Sequence, residues 1–412
     1  MIWMIWLREL WKFLGNYNNM KKVLIWNTFE LKPTGGPSGY LYNLKNFVVA
    51  NKIHHIIFLS DITDINKLKI SKYSYFIMKF FKKILDLLNI QNSINISIFI
   101  KDISNETHNI PKISLDEFDY VHFHTTFEFV KYSKLLHELG FNGKTILTTH
   151  TPKPTYLEII EDWNNLEIEN VSTKLINQLK KIDSIAFNRA DILLYPDKTA
   201  LEPYFIWDEF NTLAKKNNYQ FIPTGINLVC YSKTKDLLLK EYDIPKGSFI
   251  ISYVGRHNET KGFDLLKIFG EYIIEKYNNV YFLVAGKETP IQGLESPRWI
   301  EVGWTNDPFS IINACDLFVL PNKETFFDLI LLEVMSLNKP VLLTNTGGNK
   351  FFKNKNLDLY YFESSNIDSM ITVFEHQLFN KQFFHNKNKD YVTLNLMISN
   401  YTNKYLELLN EL

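Results

Sequence analysis

The chain has 412 residues, of which 46% are hydrophobic. A single hydrophobic core rarely serves more than about 250–300 residues, so two domains are expected. The 45 basic and 45 acidic residues give a formal net charge of +0, which excludes the global positive field typical of nucleic-acid binding. No nucleic-acid partner is therefore expected, and any anion site must be local.

Cysteine spacing and apolar run length indicate the compartment. Cys230 and Cys315 fit no metal-binding or redox spacing, so neither a disulfide nor a zinc site is predicted. No apolar run reaches the roughly 18–20 residues that a membrane-spanning helix needs. A cytoplasmic protein is expected, either free or peripheral on the inner membrane face.

Two basic, amphipathic stretches bear on that choice. Residues 1–19 form an N-terminal extension rich in aromatic and aliphatic side chains. Residues 71–90 place apolar side chains at helical spacing with lysines between them. Two interpretations remain open for each stretch: packing against the fold, or peripheral contact with an anionic membrane.

The first half of the chain alternates apolar strands with turns and helices. A strand at residues 23–26 is followed by a Gly-rich turn that contains Gly36 and opens a helix ending near Val49. Further strands are predicted at residues 54–59, 119–124, 145–152 and 188–196. This order predicts a doubly wound α/β sheet.

Three histidines lie on these strands. His122 and His124 are expected to be structural, as most histidines in strands are. His150 is placed at the carboxyl end of its strand, where open α/β sheets bind ligands. It is therefore a candidate functional residue.

The second half is organised around residues 315–335, which read as a buried strand, a polar turn and a helix. Other strands are predicted at residues 249–256, 280–286, 300–304 and 340–344, with helices from Tyr391 to the end. A strand whose loop opens a helix presents free backbone N–H groups to phosphorylated ligands. A second doubly wound sheet with an anion site follows.

The motifs of this half are Gly255-Arg256 with Lys261-Gly262, the turn Glu324 to Asp328 with Glu333 behind it, Pro340-Val341, and Gly347-Gly348. Together they resemble the donor site of the retaining, family-four glycosyltransferases of GT-B fold (glycosyl transferases group 1). The resemblance implies two Rossmann-like α/β domains that face a central cleft. It also implies a nucleotide-sugar donor, UDP-linked first and GDP-linked next. The acceptor would be a glycan or lipid-linked glycan in cell-surface polysaccharide assembly.

The resemblance also implies domain boundaries. Residues 222–227 are similar to the sequence motif found at the hinge between the two domains in this family. An N-terminal domain of residues 20–225 and a C-terminal domain of residues 226–385 are therefore predicted. In relatives, a helical tail such as residues 386–412 crosses back onto the N-terminal domain.

Arg256 and Lys261 are expected to neutralise the leaving diphosphate, since arginine offers a fork that suits two oxygens. Glu333 lies in an apolar run and needs a partner. The resemblance makes that partner the donor ribose, and a buried salt bridge is the alternative. His150 corresponds to a histidine that reaches the donor sugar, and Gly36 to a loop that leans over the donor phosphate.

Other donor contacts are predicted around the helix start. The amides of Phe327, Asp328 and Leu329 are expected to bind phosphate or sugar. Trp304 and Thr325, with Asp328, are expected to influence the choice of donor. These three positions belong to the predicted nucleotide-sugar site.

The acids depart from the family pattern. The family's first glutamate falls at Thr325, whereas the glutamate here is Glu324, and Asp328 replaces a glycine. Glu324 is expected to contact the sugar, with Asp328 as the alternative; Asp328 is also a candidate helix cap. No Asp-x-Asp occurs in a strand-end context, so a metal-independent reaction without a cofactor is predicted.

Two alternatives remain open. Nucleotide-sugar 2-epimerases share the architecture, but they need further acid/base groups and other motifs. A non-catalytic scaffold or partner subunit of another glycosyltransferase is the second alternative, because Glu324 and Asp328 depart from the pattern.

Overall fold

The computed structural model describes residues 20–33, 36–64, 113–151, 153–158, 173–206, 210, 212, 218–288, 290–378 and 387–412. Both predicted membrane-contact stretches, residues 1–19 and 71–90, lie outside these residues. Within the described ranges, no helix is long and apolar enough to cross a bilayer.

Among the described residues, the N-terminal half forms a parallel sheet of six strands in the order β2-β1-β3-β4-β5-β6. The strands are β1 Val23–Trp26, β2 Ile56–Phe58, β3 Tyr120–Phe123, β4 Lys144–Leu147, β5 Ile192–Tyr195 and β6 Asn218–Phe221. The helices in the described part of this half are α1 Gly36–Ala50, α2 Leu59–Ile62, α3 Thr126–Tyr132 and α4 Thr173–Arg189, with 3-10 helices at Ser133–Leu135 and Lys198–Ile206.

The C-terminal half forms a second parallel sheet of six strands in the order β12-β11-β10-β7-β8-β9. Its strands are β7 Phe249–Val254, β8 Val280–Ala285, β9 Trp299–Gly303, β10 Leu317–Leu320, β11 Val341–Thr344 and β12 Leu359–Phe362. Its helices are α5 Lys235–Glu241, α6 Phe263–Lys276, α7 Pro308–Ala314, α8 Leu329–Ser336, α9 Ile367–Val373, α10 Lys387–Asn395 and α11 Ile398–Glu411, with a 3-10 helix at Gly347–Phe352 and a π-helix at Phe374–Leu378.

Each sheet has one switch point, where the strand order reverses direction. It falls between β1 and β3 in the first sheet and between β7 and β10 in the second. The crevice outside the carboxyl ends of such strands is where open α/β sheets bind ligands. The loops that carry Arg256 and Glu324 follow β7 and β10, so the fold places both at the second switch point.

The inner strands were recognisable because a strand buried on both faces must be apolar throughout. The sequence pattern predicts no strand at the edge strand β6; the predicted strands of this half end with residues 188–196. β6 reads Asn-Tyr-Gln-Phe and exposes both of its ends. An edge strand that faces water needs no continuous apolar run, so its sequence resembles a loop.

The C-terminal helix α11 packs on the N-terminal sheet. The Tyr405 hydroxyl lies 2.7 Å from His122 Nδ1, and the Tyr120 hydroxyl donates to the Leu409 carbonyl at 2.9 Å. The chain crosses between the halves at two adjacent points. The Ile226 amide donates to the Leu396 carbonyl (2.9 Å), and the Ile398 amide donates to the Ile226 carbonyl (2.8 Å).

Candidate functional site

The carboxyl edges of the two sheets meet at Phe326, in the loop after β10. Its ring centroid lies 5.6 Å from that of Tyr195 at the end of β5 and 6.0 Å from that of His150 after β4. The loops that follow the strands of one sheet therefore face those of the other.

His150 is held in a strained conformation at this edge. Its φ is +55°, in the left-handed region that non-glycine residues rarely adopt and that recurs at functional sites. Its Nε2 lies 2.8 Å from His124 Nδ1, and its ring centroid lies 4.9 Å from that of Tyr40 in α1. Desolvation lowers the pKa of His150 to about 3, so at neutral pH the ring is an uncharged hydrogen-bonding group.

His122 and His124 are fully buried behind His150. His122 is hydrogen-bonded to the Tyr405 hydroxyl and, at 2.9 Å, to the Thr148 hydroxyl. Burial lowers the pKa of both histidines, so both are neutral. They orient His150 and join it to α11, and they have no open face for a substrate.

Arg256 and Lys261, which are predicted to share the same role, differ in whether the side chain already has a partner within the protein. Arg256 is exposed, and its guanidinium makes no hydrogen bond or ion pair within the described part of the chain. Lys261 Nζ lies 3.0 Å from Asp328 Oδ1, across the switch point. One cation is ready for an anionic ligand, and the other already has a carboxylate.

Asp328 occupies the N-cap position of α8, but its side chain makes no capping hydrogen bond. The prediction that it caps the helix is wrong. Its carboxylate instead accepts from Lys261 Nζ and from the amide of the fully buried Asn322. The charge of Asp328 is thus compensated by the lysine expected to bind the diphosphate.

The loop that carries Lys261 packs tightly on the loop after β10. Gly262 has a φ of +66°, and a Cβ at this position would lie 1.9 Å from the Pro321 carbonyl oxygen. Only glycine fits such an approach, so Gly262 fixes the position of Lys261 relative to Asp328.

Gly262→Ala is therefore expected to lower the free energy of unfolding by about 2–4 kcal/mol and to weaken nucleotide binding. The matched control is Gly247→Ala. Gly247 also has a positive φ, +86°, but nothing lies within 4 Å of its Cβ position. Denaturant melts and calorimetry compare the two variants. Equal losses of unfolding free energy and nucleotide affinity in both variants would show that the close approach of Gly262 to Pro321 contributes to neither.

Glu324 makes an ion pair that the sequence did not predict. Its Oε2 lies 2.5 Å from Lys153 Nζ, in the loop after β4 of the other sheet. Next to it, the Thr325 side chain is buried, and Phe327 packs against Phe351 and Phe352. A ligand at positions 325 and 327 would therefore meet backbone rather than side-chain atoms.

Glu333 lies one turn into α8 and is partly buried. No lysine or arginine in the described ranges forms an ion pair with it, so the alternative of a buried salt bridge is excluded there. Burial raises the pKa of Glu333 to about 7. A carboxylate without a partner is suited to accept from the hydroxyls of a ligand.

Glu333→Gln is expected to stabilise the chain at pH 8 and to change little at pH 5. The folded-state pKa lies above the unfolded value, so the folded state binds more protons and Glu333 costs stability as the pH rises from about 4.5 to 7. Glutamine removes a cost of roughly 1–3 kcal/mol. Thermal melts of both proteins across this range test it. A difference in melting temperature that does not depend on pH would contradict the assignment.

Trp304 and Gly36 lie outside the loops that carry Arg256 and Glu324. Trp304 follows β9 and is 71% exposed, a free aromatic face at the edge of the C-terminal sheet. Gly36 is exposed at the first turn of α1, the helix that brings Tyr40 to His150. The two residues before Gly36 lie outside the described chain.

Sequence reasoning missed Lys153, Asn322 and Tyr40. Lys153 follows His150 by three residues, and Asn322 directly precedes the Lys323-Glu324 pair. Proximity to a predicted site residue was the only signal available. Their partners lie on other elements, so local patterns did not identify them.

Residues 248–376 match the family described as "Glycosyl transferases group 1". A curated relative from Escherichia coli, "UDP-Gal:alpha-D-GlcNAc-diphosphoundecaprenol alpha-1,3-galactosyltransferase", is 29% identical over 168 residues. That alignment covers 37% of this chain and 43% of the relative. The alignments with the curated relatives cover between 40% and 64% of the length of each relative.

Solved structures match over nearly the whole chain. Sucrose-phosphate synthase from Thermosynechococcus elongatus has a TM-score of 0.61 at 13% identity, covering 95% of this chain and 98% of that one. Anabaena HepE in complex with UDP and glucose has a TM-score of 0.59 at 12% identity, covering 95% and 100%. At such identities the likeness concerns the fold alone. It confirms the predicted GT-B architecture of two Rossmann-like α/β domains.

Proposed function

We propose that this chain, whose residues 248–376 match the glycosyl transferases group 1 family, is a retaining, metal-independent glycosyltransferase. It moves a sugar from a nucleotide diphosphate sugar to a glycan or lipid-linked glycan acceptor. The observation that carries the proposal is Arg256, exposed and unpaired within the described residues, at the switch point of the C-terminal sheet. A guanidinium at this place suits the oxygens of a diphosphate.

The residues around Arg256 support a division of roles. Arg256 and Lys261 stabilise the negative charge that builds on the leaving diphosphate. Glu333 accepts hydrogen bonds from the ribose hydroxyls, and Glu324 with His150 binds the sugar. The bond from the anomeric carbon to the phosphate oxygen breaks as the acceptor oxygen attacks the same face. The leaving phosphate takes the acceptor's proton, so no separate nucleophile is required.

Two similarities support the substrate class. The matched Escherichia coli relative is named for a UDP-sugar donor and a diphosphoundecaprenol-linked acceptor, and the matched HepE structure contains UDP and glucose. We therefore propose a UDP-sugar as donor before a GDP-sugar, and cell-surface polysaccharide assembly as the process.

A cytoplasmic location with peripheral contact to anionic lipid is part of the proposal. It is supported by the basic, amphipathic residues 71–90, since lysines between apolar side chains suit such a surface. Sedimentation with vesicles that contain phosphatidylglycerol tests it. Equal binding to purely zwitterionic vesicles would contradict an electrostatic contact.

The experiment that tests the function is a panel of UDP-, GDP-, ADP- and dTDP-sugars. Nucleotide release by the purified protein is measured with and without EDTA, and the anomer of the product is read by NMR. Release from one donor, unaffected by EDTA and with retained configuration, is the expected result. Release from no donor, with no nucleotide binding by calorimetry, would overturn the proposal.

A non-catalytic scaffold is the second candidate, and one observation favours it. Glu324 is paired with Lys153 and Lys261 with Asp328, so two expected site residues already have internal partners. A scaffold would bind and activate a partner glycosyltransferase without releasing nucleotide. Its activation of that partner would survive Arg256→Ala, whereas transfer by an enzyme would not.

A further inference from the structure

The ion pair between Lys153 and Glu324 joins the two sheets at their carboxyl edges. Lys153 lies in the loop after β4, and Glu324 lies in the loop after β10. Lys153 Nζ and Glu324 Oε2 are 2.5 Å apart. The lysine side chain is 5% exposed and the glutamate side chain 29% exposed. The cation is thus buried, and its carboxylate partner remains open on one side.

The lysine loop is anchored in the N-terminal half. The Thr151 hydroxyl donates to the Lys153 carbonyl at 2.5 Å and lies 3.0 Å from the Tyr204 hydroxyl. Tyr204 belongs to the 3-10 helix Lys198–Ile206 and is fully buried. Lys153 is therefore a fixed group, so it can hold a carboxylate in a defined position.

Glu324 has one oxygen to spare. Oε2 is buried and forms the ion pair with Lys153, whereas Oε1 makes no hydrogen bond or ion pair within the described residues. The ring centroid of His150 lies 6.0 Å from that of Phe326, two residues after Glu324. A ligand hydroxyl that reached Glu324 between the sheet edges would meet an available carboxylate oxygen.

A second ion pair between the halves gives a comparison. Lys350, in the 3-10 helix Gly347–Phe352, lies 2.7 Å from Glu202, and these side chains are 31% and 39% exposed. A pair this exposed contributes little to stability, because water screens it. The Lys153 side chain is only 5% exposed, so its attraction to the Glu324 carboxylate is screened much less by water.

We propose that Lys153 is a positioning residue that holds the Glu324 carboxylate across the cleft, with Oε1 directed at the hydroxyls of the donor sugar. This inference rests on the proposed function. The sugar contact is complete only when the two domains adopt this arrangement, because its two supporting residues belong to different domains. Lys153 itself touches neither nucleotide nor phosphate in this role.

Lys153→Met tests the inference by calorimetry and kinetics. Affinity for UDP alone is expected to stay within about twofold, because Lys153 does not contact the nucleotide. The additional affinity of the UDP-sugar over UDP, and kcat, are expected to fall about 10- to 100-fold, the usual effect of losing a charge-assisted hydrogen bond. Lys153→Arg should retain most of both. Lys350→Met, which breaks the exposed pair, should change neither.

A charge-reversed double variant distinguishes two roles of Lys153: positioning the Glu324 carboxylate for the sugar, or only stabilising the contact between the domains. Lys153→Glu combined with Glu324→Lys re-forms an ion pair, so the melting temperature should recover while kcat stays low. Recovery of kcat would overturn the inference, as would a Lys153→Met variant with unchanged sugar affinity and kcat. If Lys153→Met does not fold, the single variants Glu324→Gln and Lys153→Arg are compared instead. Glu324→Gln is then expected to lower the sugar affinity and kcat, and Lys153→Arg is expected to retain them. If the unaltered chain binds no nucleotide, the proposed function itself fails; normal turnover by Lys153→Met refutes only the role of Lys153.

Discussion

Arg256→Ala is expected to lower kcat/KM for sugar transfer about 100- to 1,000-fold, the usual cost of losing one group that stabilises transition-state charge. The reason is specific to this site. Lys261 is paired with Asp328, so Arg256 is the unpaired cation of the loop after β7 within the described residues. Steady-state kinetics with the donor found in the panel measure the effect.

Two variants control for the loss of charge. Arg256→Lys keeps the charge but loses the fork, so an intermediate activity is expected. Lys246→Ala removes an exposed cation just before β7, at the opposite end of the same strand. It should leave kcat/KM unchanged. Equal activity of Arg256→Ala and Lys246→Ala would show that Arg256 does not bind the leaving group.

Asp328→Asn is expected to tighten the binding of UDP about tenfold. The Asp328 carboxylate accepts hydrogen bonds from the Lys261 ammonium and the Asn322 side-chain amide, and it lies at the helix start where a diphosphate is expected. Asparagine has nearly the same shape, removes one negative charge and frees the Lys261 ammonium. Removal of a like charge at this range is worth about 1–3 kcal/mol at an effective dielectric of about 20.

Lys261→Met is expected to do the reverse, because it leaves a carboxylate without its cation beside the diphosphate. A double-mutant cycle by calorimetry with UDP measures the coupling between the two residues. Weaker or unchanged UDP binding by Asp328→Asn would contradict the prediction. Tighter UDP binding combined with lost UDP-sugar affinity would assign Asp328 to the sugar hydroxyls as well.

The loops of the donor site were predictable because their signals are local. The strand at Phe249–Val254 is apolar throughout, as burial on both faces requires. Gly262 and Lys261 follow it within one loop, and Glu333 lies in the β10–α8 unit on the other side of the switch point. Short-range constraints of this kind are written in consecutive residues.

The states of the site residues were not predictable in this way. Asp328 is a candidate cap of α8 by its sequence position, but its carboxylate is bound by Lys261, which is 67 residues away in the chain. Glu324 is predicted from the sequence to contact the sugar, and nothing in the local sequence indicates its ion pair with Lys153. The partner of a charged side chain depends on which loops the fold brings together.

By itself, the sequence determined two parallel α/β sheets and the strand ends at which the cations and acids would lie. Runs of apolar residues and glycines at tight turns are enough for that, because backbone hydrogen bonding and burial act on neighbouring residues. Only the tertiary structure decided that Arg256 is unpaired within the described chain, that Lys261 is held by Asp328, and that Lys153 reaches Glu324 from the other domain. Electrostatic pairing depends on distance in space, and the chain order of these residues does not contain that distance.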